Sequence, residues 1–411
     1  MVLGHKAMHF DLIVIGMGLS GLMAAKTAVE KGQKVLIVGK GTGSLLLFSN
    51  TIDILGDMQE ETNLHDGLYL WMKNHPEHPY SRVGLDNMLH ALSSFSSLFD
   101  GPYSFRSMED RNCFVPTGIG TFRPTYLIPI TMMSGSSLGD GNTLVIGFEG
   151  LKDFHARYMA NGLGCRGETI PLLESLAQEI TPTALSRFME DPTFREKVAK
   201  EMVNRLEDET RIGLPAVLGL QQPVAVKMSL EEITGVEVFE IPTLPPSIPG
   251  KRIFNRFREW LIQRGATFLM GHPVSNVSVQ GRRCQGIQVS HPPVSTFISG
   301  DRFILATGRF MGGGLVAEEE RISEPIFHLP ISQPADRNEW FAKSFSSKHL
   351  LHQSGILTDS SLRPVDPEEN LLFENVWVAG SILAHHNMIE EKSREGIEIG
   401  TGYTAAQNAL E

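Results

Sequence analysis

The sequence predicts an α/β chain: a Rossmann-like domain with a mostly parallel sheet and a β-meander, interrupted by an α/β cap domain. Three stretches predict it. Asp11-Leu-Ile-Val-Ile15 runs into Gly16-Met-Gly18-Leu-Ser-Gly21, Asp301-Arg-Phe-Ile-Leu runs into Ala306-Thr-Gly308, and Glu374-Asn-Val-Trp-Val-Ala runs into Gly380-Ser381. Each is a short apolar run, the signature of a buried strand, closed by small residues. They lie far apart in the chain yet fit one site, so their coincidence is stronger than any one alone.

The first stretch sets the register for the rest. Three glycines between a strand and a helix are spaced as a dinucleotide-binding turn. Gly16 permits the tight turn, Gly18 lets a phosphate approach the backbone, and Gly21 lets helix and strand pack closely. The helix that follows, Leu22 to Val29 with a Gly32 stop, offers free N–H groups to an anion at its start. Lys34-Val-Leu-Ile-Val38 is the second strand. A dinucleotide fold ordinarily ends this strand with an acid that binds the adenosine ribose; Gly39 stands there instead, followed by Lys40. Lys40 or backbone groups must then meet an adenosine, or the ligand has none.

Further along, Ser44 and Ser49 flank an apolar segment, and two readings stay open for them: polar contacts to a ligand, or ordinary loop serines. From Glu60 to Phe99 the pattern is helical, broken by His75-Pro-Glu-His-Pro-Tyr80. Two histidines there invite a metal reading, but X-Pro steps favour extended or turn structure, so a surface turn is expected. Pro116 to Pro124 reads as a Gly/Pro-punctuated hairpin presenting Arg123, a clamp for phosphate or carboxylate or else a surface ion pair. Thr143 to Gly147 reads as a strand and Gly150 to Phe154 as the start of a helix. Pro182 and Pro192 sit at helix N1 positions behind Thr181 and Asp191 caps. Ile212–Leu220 and Val236–Ile241 read as buried strands. Pro242 to Gly250, with four prolines, is a stiff connector. A basic helix over Arg252–Arg264 follows, then Ala266–Met270 and Val274–Val289 as an antiparallel meander with a turn at Gly281.

Near the C-terminus, His385 and His386 follow Gly380. They are either an acid or base facing a ligand or a solvated loop pair. Arg309, just after the Ala-Thr-Gly turn, either binds an anion or makes a surface ion pair. A helix is expected to begin at Gly396. The run Glu390–Glu395 before it is bulky and polar where close approach to a ligand asks for small residues. Many flavoproteins carry Gly-Asp where this chain has Gly380-Ser381.

Composition bounds the function. A chain of 411 residues with net charge −11, 41% apolar and 20% charged residues, is a soluble-protein composition with room for two or three domains. Nothing in it suggests nucleic-acid binding. Lys6 ahead of an apolar run imitates a signal peptide, but Asp11 and the glycine triad argue against one, and Leu12–Ala25 is too short to span a bilayer. The three cysteines have no ligand-like spacing, so neither an iron–sulfur cluster nor a metal site held by this chain alone is expected.

These stretches, with Phe48-Ser-Asn-Thr-Ile-Asp-Ile-Leu55, His78-Pro-Tyr-Ser81, Gly120-Thr-Phe-Arg123, Gly150-Leu-Lys-Asp-Phe154, Pro242-Thr-Leu-Pro-Pro-Ser247, Gly313-Gly-Leu-Val-Ala-Glu318, Glu324-Pro-Ile326 and Thr358-Asp-Ser-Ser-Leu-Arg-Pro364, resemble the B-subunit family of the anaerobic glycerol-3-phosphate dehydrogenases. That family is related to the flavoproteins of the succinate dehydrogenase and fumarate reductase type. The resemblance runs nearly the full length in order. It implies a flavin-containing, cytoplasmic subunit, peripheral to the membrane, of a complex that oxidises sn-glycerol 3-phosphate to dihydroxyacetone phosphate. The implied partners are a larger FAD-containing dehydrogenase subunit and an iron–sulfur, membrane-anchoring subunit, with a quinone as the final acceptor. The resemblance implies FMN, whereas the fold implies FAD. The segment around Ser44 and Ser49 would then wrap the isoalloxazine ring. Cofactor-binding residues expected on this reading are Gly16, Gly18, Gly21, Lys40, Ser44, Ser49, Gly308, Gly380, Ser381 and Gly396, with Arg123, Arg309 and His386 as the candidates for chemistry.

The expected organisation is an extension at 1–7, then flavin-binding segments at 8–60, 242–310 and 366–411. A cap is expected at 61–241 and a cap or interface segment at 311–365. Two other classes compete: a self-sufficient flavin oxidoreductase of the fumarate-reductase type, and a structural subunit with a degenerate flavin site.

Overall fold

The computed structural model describes residues 8–56, 58, 62–99, 101, 103–136, 142–172, 179–291 and 294–411. The expected extension at 1–7 and the expected helix start at Glu60 lie outside them. The chain divides into two compact units: Met1–Ser44, His65–Phe95 and Arg256–Glu411 in one, Leu45–Leu64 and Ser96–Asn255 in the other.

The first unit is built on a seven-stranded sheet. Its order is Thr267–Met270, Val35–Gly39, His9–Ile15, Val294–Leu305, Arg283–His291, Val274–Gln280, with Val376–Val378 also paired to Val294–Leu305. The strand Val294–Leu305 is long enough to serve two partners on one side. Its first half pairs antiparallel with Arg283–His291, and Phe303–Leu305 pair in parallel with Val376–Val378. Its other edge runs parallel to His9–Ile15, whose Leu12–Ile15 are essentially inaccessible. Burial of four such aliphatic side chains stabilises this centre by about 1.5–3 kcal/mol each. The helix Leu19–Glu30 is buried from Leu19 through Ala28, because the C-terminal helix Arg394–Leu410 covers the side the sheet leaves open. That is why its sequence is apolar nearly all round.

Several sequence expectations change here. Thr267–Met270 is not part of the meander: it pairs in parallel with Val35–Gly39, extending the nucleotide-fold edge of the sheet. The antiparallel meander is instead Val274–Gln280, Arg283–His291 and the first half of Val294–Leu305, with its first turn at Gly281. The C-terminal helix starts at Arg394, so Gly396 lies inside its first turn. Residues 65–95, expected in the cap, belong to the first unit, and so does all of 311–365; residues 45–60 and 242–255 belong to the second.

The second unit has a four-stranded parallel sheet, ordered Glu237–Ile241, Arg211–Pro215, Thr143–Phe148, Arg166–Ile170. Helices Pro182–Met189 and Pro192–Val203 begin with proline at N1, and Thr181 and Asp191 accept backbone N–H groups of the first turn. Gly150–Phe154 is a turn rather than a helix start, and the helix begins at Ala156. The strand from Arg211 ends at Pro215, well before Leu220. The helix expected from Arg252 begins at Ile248, so the connector after Pro242 is short.

Candidate functional site

In the first unit the three signal stretches meet. Gly16 adopts φ +123°, and a Cβ there would overlap the Ala306 carbonyl, so the first glycine of the turn lies against the Ala-Thr-Gly turn. A Cβ on Gly21 would overlap the Gly16 carbonyl. Gly380, at φ +85°, leaves no room for a side chain beside Ser20, and Gly308, at φ +71°, faces Ser381 Oγ at 3.5 Å from its Cβ position. Its neighbour Gly313 faces Lys40 Nζ at 3.0 Å from the corresponding position. Gly43 closes the ring: its Cβ position is 2.8 Å from Gly18 Cα. Gly16, Gly18, Gly21, Lys40, Ser44, Gly308, Gly380 and Ser381 therefore surround one place. Ser49 and Arg123 belong to the other unit.

Gly18 is the exception among these crowded glycines. Among the described residues, nothing lies within 4 Å of the position a Cβ would take. Gly18 is also the N-cap of Leu19–Glu30, with no side-chain cap and no acid in the first turn. An uncapped helix N-terminus opening onto free space fits a phosphate: the N–H groups that no side chain caps, and the positive end of the helix dipole, face the same opening. Thr307 Oγ1, buried in the neighbouring Ala-Thr-Gly turn, has no hydrogen-bond partner among the described residues. The residues present thus fit the phosphate end of a flavin nucleotide.

The candidates for chemistry fall in both units. Arg309 is no surface ion pair. It is buried and donates Nη1 to the His352 carbonyl and Nη2 to the Leu383 and His386 carbonyls, the latter two at 3.0 Å. Burial pulls its pKa down to about 10, against a smaller opposing pull from Glu391. His386 is not a solvated loop residue either: it is fully buried, and neither ring nitrogen has a hydrogen-bond partner among the described residues. Burial first, then the Arg309 charge, hold its pKa well below the ordinary value, so the imidazole is neutral. His385 is half-buried at φ +63° with Nδ1 3.8 Å from Glu77. In the second unit Arg123 lies on the expected hairpin, Cys113–Pro116 with Phe122–Thr125, but its guanidinium is held by buried Asp53, Nε to Oδ2 at 2.6 Å.

The expected surface turn holds for His75–Glu77, which are exposed, but not for the residues after it. His78 and Tyr80 are buried, and His78 caps the short helix Pro79–Val83 by accepting the Tyr80 N–H at Nδ1, 3.1 Å. That bond fixes the tautomer, so Nε2–H donates to Glu391 Oε2 at 3.2 Å. Among the described residues no three His, Cys, Asp or Glu side chains gather as a metal site.

The run Glu390–Glu395 divides in two. Glu390 and Glu391 close a short helix, Met388–Glu391, whereas Arg394 and Glu395 are buried in the first turn of the last helix. Arg394 donates to Ser44 Oγ at 3.1 Å and to Glu395 Oε1. Glu398, one turn on, is also buried and accepts from Ser44 Oγ at 3.3 Å. Burial pushes its pKa up to about 7; Arg394 and the Ser44 bond oppose the rise, and Glu395 adds to it. Sequence reasoning missed Glu398, although its spacing from Arg394 puts both on one helix face.

The FAD binding domain family model matches residues 11–393. The chain is 30% identical to the probable B subunit of the anaerobic glycerol-3-phosphate dehydrogenase of Halobacterium salinarum, over 98% of this chain and 99% of that one. It is 26% identical to the B subunit of the anaerobic glycerol-3-phosphate dehydrogenase of Vibrio cholerae, over 98% and 97%. Among solved structures, 3-ketosteroid delta1-dehydrogenase from Sterolibacterium denitrificans is 12% identical, with a TM-score of 0.44 over 98% of this chain and 100% of that one. No helix among the described residues is long and apolar enough to cross a membrane.

Proposed function

This chain belongs to the FAD binding domain family and, within it, to the B-subunit family of the anaerobic glycerol-3-phosphate dehydrogenases, and we propose that it is the FAD-carrying electron-transfer subunit of such a complex. The substrate is sn-glycerol 3-phosphate, oxidised to dihydroxyacetone phosphate. The partners are a larger FAD-containing dehydrogenase subunit and an iron–sulfur subunit that attaches the complex to the cytoplasmic face of the membrane and passes electrons to a quinone. One observation carries the reading: the open space over Gly18, at an uncapped helix start whose Ser20 lies against the Gly380 turn.

A bound flavin supplies the capacity to take up and release electrons. The residues do the rest. Gly18 and the first N–H groups of Leu19–Glu30 hold a phosphate, and Lys40 adds a cation at the rim by Gly313. Gly308 and Gly380 keep the backbone low beside it. The three cysteines cannot supply the four thiolates of a cluster, so electrons leave through a partner. The guanidiniums of Arg309 and Arg123 are tied to carbonyls and to Asp53, which favours electron transfer over dehydrogenation in this chain.

A second reading, the self-sufficient oxidoreductase, draws support from His386, a neutral buried imidazole whose ring nitrogens have no partner among the described residues. The test is an absorption spectrum of the purified chain, identification of the flavin released by heat, and an assay of the isolated chain. FAD without steady glycerol-3-phosphate turnover is the expected result. FMN corrects the cofactor, turnover by the chain alone favours the second reading, and a colourless chain that still assembles with its partners refutes the proposal in favour of a structural subunit.

A further inference from the structure

The first two turns of the C-terminal helix bury three charged side chains together: Arg394, Glu395 and Glu398 are each no more than 4% exposed. Two of the carboxylate oxygens, Glu395 Oε2 and Glu398 Oε2, accept no hydrogen bond among the described residues. Arg394 Nη1, at 3.7 Å from Glu398 Oε2, is outside hydrogen-bond range of it. Buried carboxylates ordinarily have every lone pair met, so the cluster is short of a donor. The charge it carries, two acids against one arginine, points the same way.

Its position says which donor. Ser44, bonded to both Arg394 and Glu398, follows Gly43, which rests on Gly18. Gly402 of the same helix has its Cβ position against the Ser20 backbone. At about 1.5 Å rise per residue, Glu398 lies about 6 Å back along the helix from that point and Arg394 about 12 Å back. A ribityl chain that starts from a phosphate at Gly18 spans a comparable distance. The ligand end that reaches the cluster must bring a hydrogen-bond donor into a dry, acidic site. The oxidised isoalloxazine has a single N–H group, on the imide of its pyrimidine ring, flanked by two carbonyl acceptors.

We infer that Glu398 is the acceptor for the imide N–H of the flavin, held in place for that bond by Ser44 and Arg394. The inference rests on the reading that this unit holds a flavin. Glu398 takes the role rather than Glu395, because Glu395 Oε1 is engaged by Arg394 while Glu398 is bonded to Ser44 beside the glycine turn. The upward displacement of the Glu398 pKa to about 7 is what a buried carboxylate short of donors should display.

The test needs the full chain freed of flavin, titrated by fluorescence quenching with the parent flavin and with its N3-methyl analogue. The methyl group removes the donor and leaves both carbonyls. The native chain should bind the analogue at least about tenfold more weakly, about 1.4 kcal/mol. Glu398→Ala, which removes the acceptor and opens room for the methyl group, should bring the two affinities within about twofold. Glu398→Gln, which keeps a carbonyl acceptor, should preserve the preference. Equal binding of both flavins by the native chain overturns this inference alone, as does a preference that persists in Glu398→Ala. Failure to bind either flavin overturns the flavin reading with it. The native-chain comparison decides even if a variant does not fold.

Discussion

Replacing Glu398 by glutamine in the flavin-free chain should stabilise it, and only where Glu398 would be charged. The carboxyl is fully enclosed, and its pKa is lifted from 4.5 to about 7. Three groups face it. Arg394 and Ser44 favour the charged form, and Glu395 opposes it; burial outweighs them all. Because the folded-state pKa of this acid is raised, the folded chain binds more protons than the unfolded one between about pH 4.5 and 7, so stability falls as pH rises through that window. At about 1.4 kcal/mol for each tenfold displacement, the charged carboxylate costs about 3 kcal/mol above pH 7, and only about 1 kcal/mol of that is present at pH 5. Glutamine has nearly the same shape and no charge to bury. Urea denaturation of both proteins at pH 5 and pH 8, followed by a signal from the first unit, should show the stability gap widening by about 2 kcal/mol in favour of Glu398→Gln. Any packing or hydrogen bonding that the substitution itself weakens is common to both pH values and cancels. A gap that is unchanged between pH 5 and pH 8, or that narrows, would refute the argument, since it would mean Glu398 ionises as freely in the folded chain as in the unfolded one.

Two further outcomes follow from the same geometry. Gly18→Ala adds a methyl group into open space at ordinary backbone dihedrals, so it should leave the melting temperature nearly unchanged while weakening flavin binding at least about tenfold; Gly16→Ala, at φ +123° and against the Ala306 carbonyl, should destabilise the fold itself. Calorimetry on both variants, with and without flavin, separates the two effects. Arg309→Met keeps the apolar stem and strips the donors from three carbonyls, at His352, Leu383 and His386, two of them from fully buried bonds. At about 1 kcal/mol for each bond, a loss of about 3 kcal/mol in chemical denaturation is expected, and a loss well under 1 kcal/mol would show that Arg309 is not what holds the loop that carries His386.

What the sequence made legible was what backbone sterics write into it. Strand runs, proline at N1, capping residues and glycines that must sit at positive φ or under a neighbouring carbonyl are local requirements, and so the Gly16–Gly21 turn, the Ala306–Gly308 turn and the Thr181 and Asp191 caps fall where expected. Partners across the chain are not written locally. Thr267–Met270 has the look of a meander strand because nothing in four residues says that its neighbour is Val35–Gly39, some 230 positions earlier. The same gap misplaced His78. His78 reads as solvent-facing because prolines and polar residues surround it, and only the packing of Pro79–Val83 against the last helix buries it; the two readings of His386 stay open in the sequence for the same reason.

The run before Gly396 shows how this bears on function. Read as composition, Glu390–Glu395 is an obstruction to a flavin, because it is bulky where small residues are expected. In the fold the obstruction separates. Glu391 turns towards His78, and the chain then passes through Lys392 at φ +48° into a helix whose first two turns tuck Arg394, Glu395 and Glu398 beside Ser44. A degenerate site would be expected to fill with apolar side chains or to pair its charges completely, since a buried charge without a partner destabilises the fold. This one instead keeps two carboxylate oxygens without donors next to an open glycine turn and an uncapped helix. Those features cost stability in the empty chain, and a ligand with a phosphate at one end and a single N–H donor at the other would satisfy them together. The departure from small residues is therefore better read as a different way of holding the pyrimidine edge of a flavin, by side chains in place of helix backbone, than as the loss of the site.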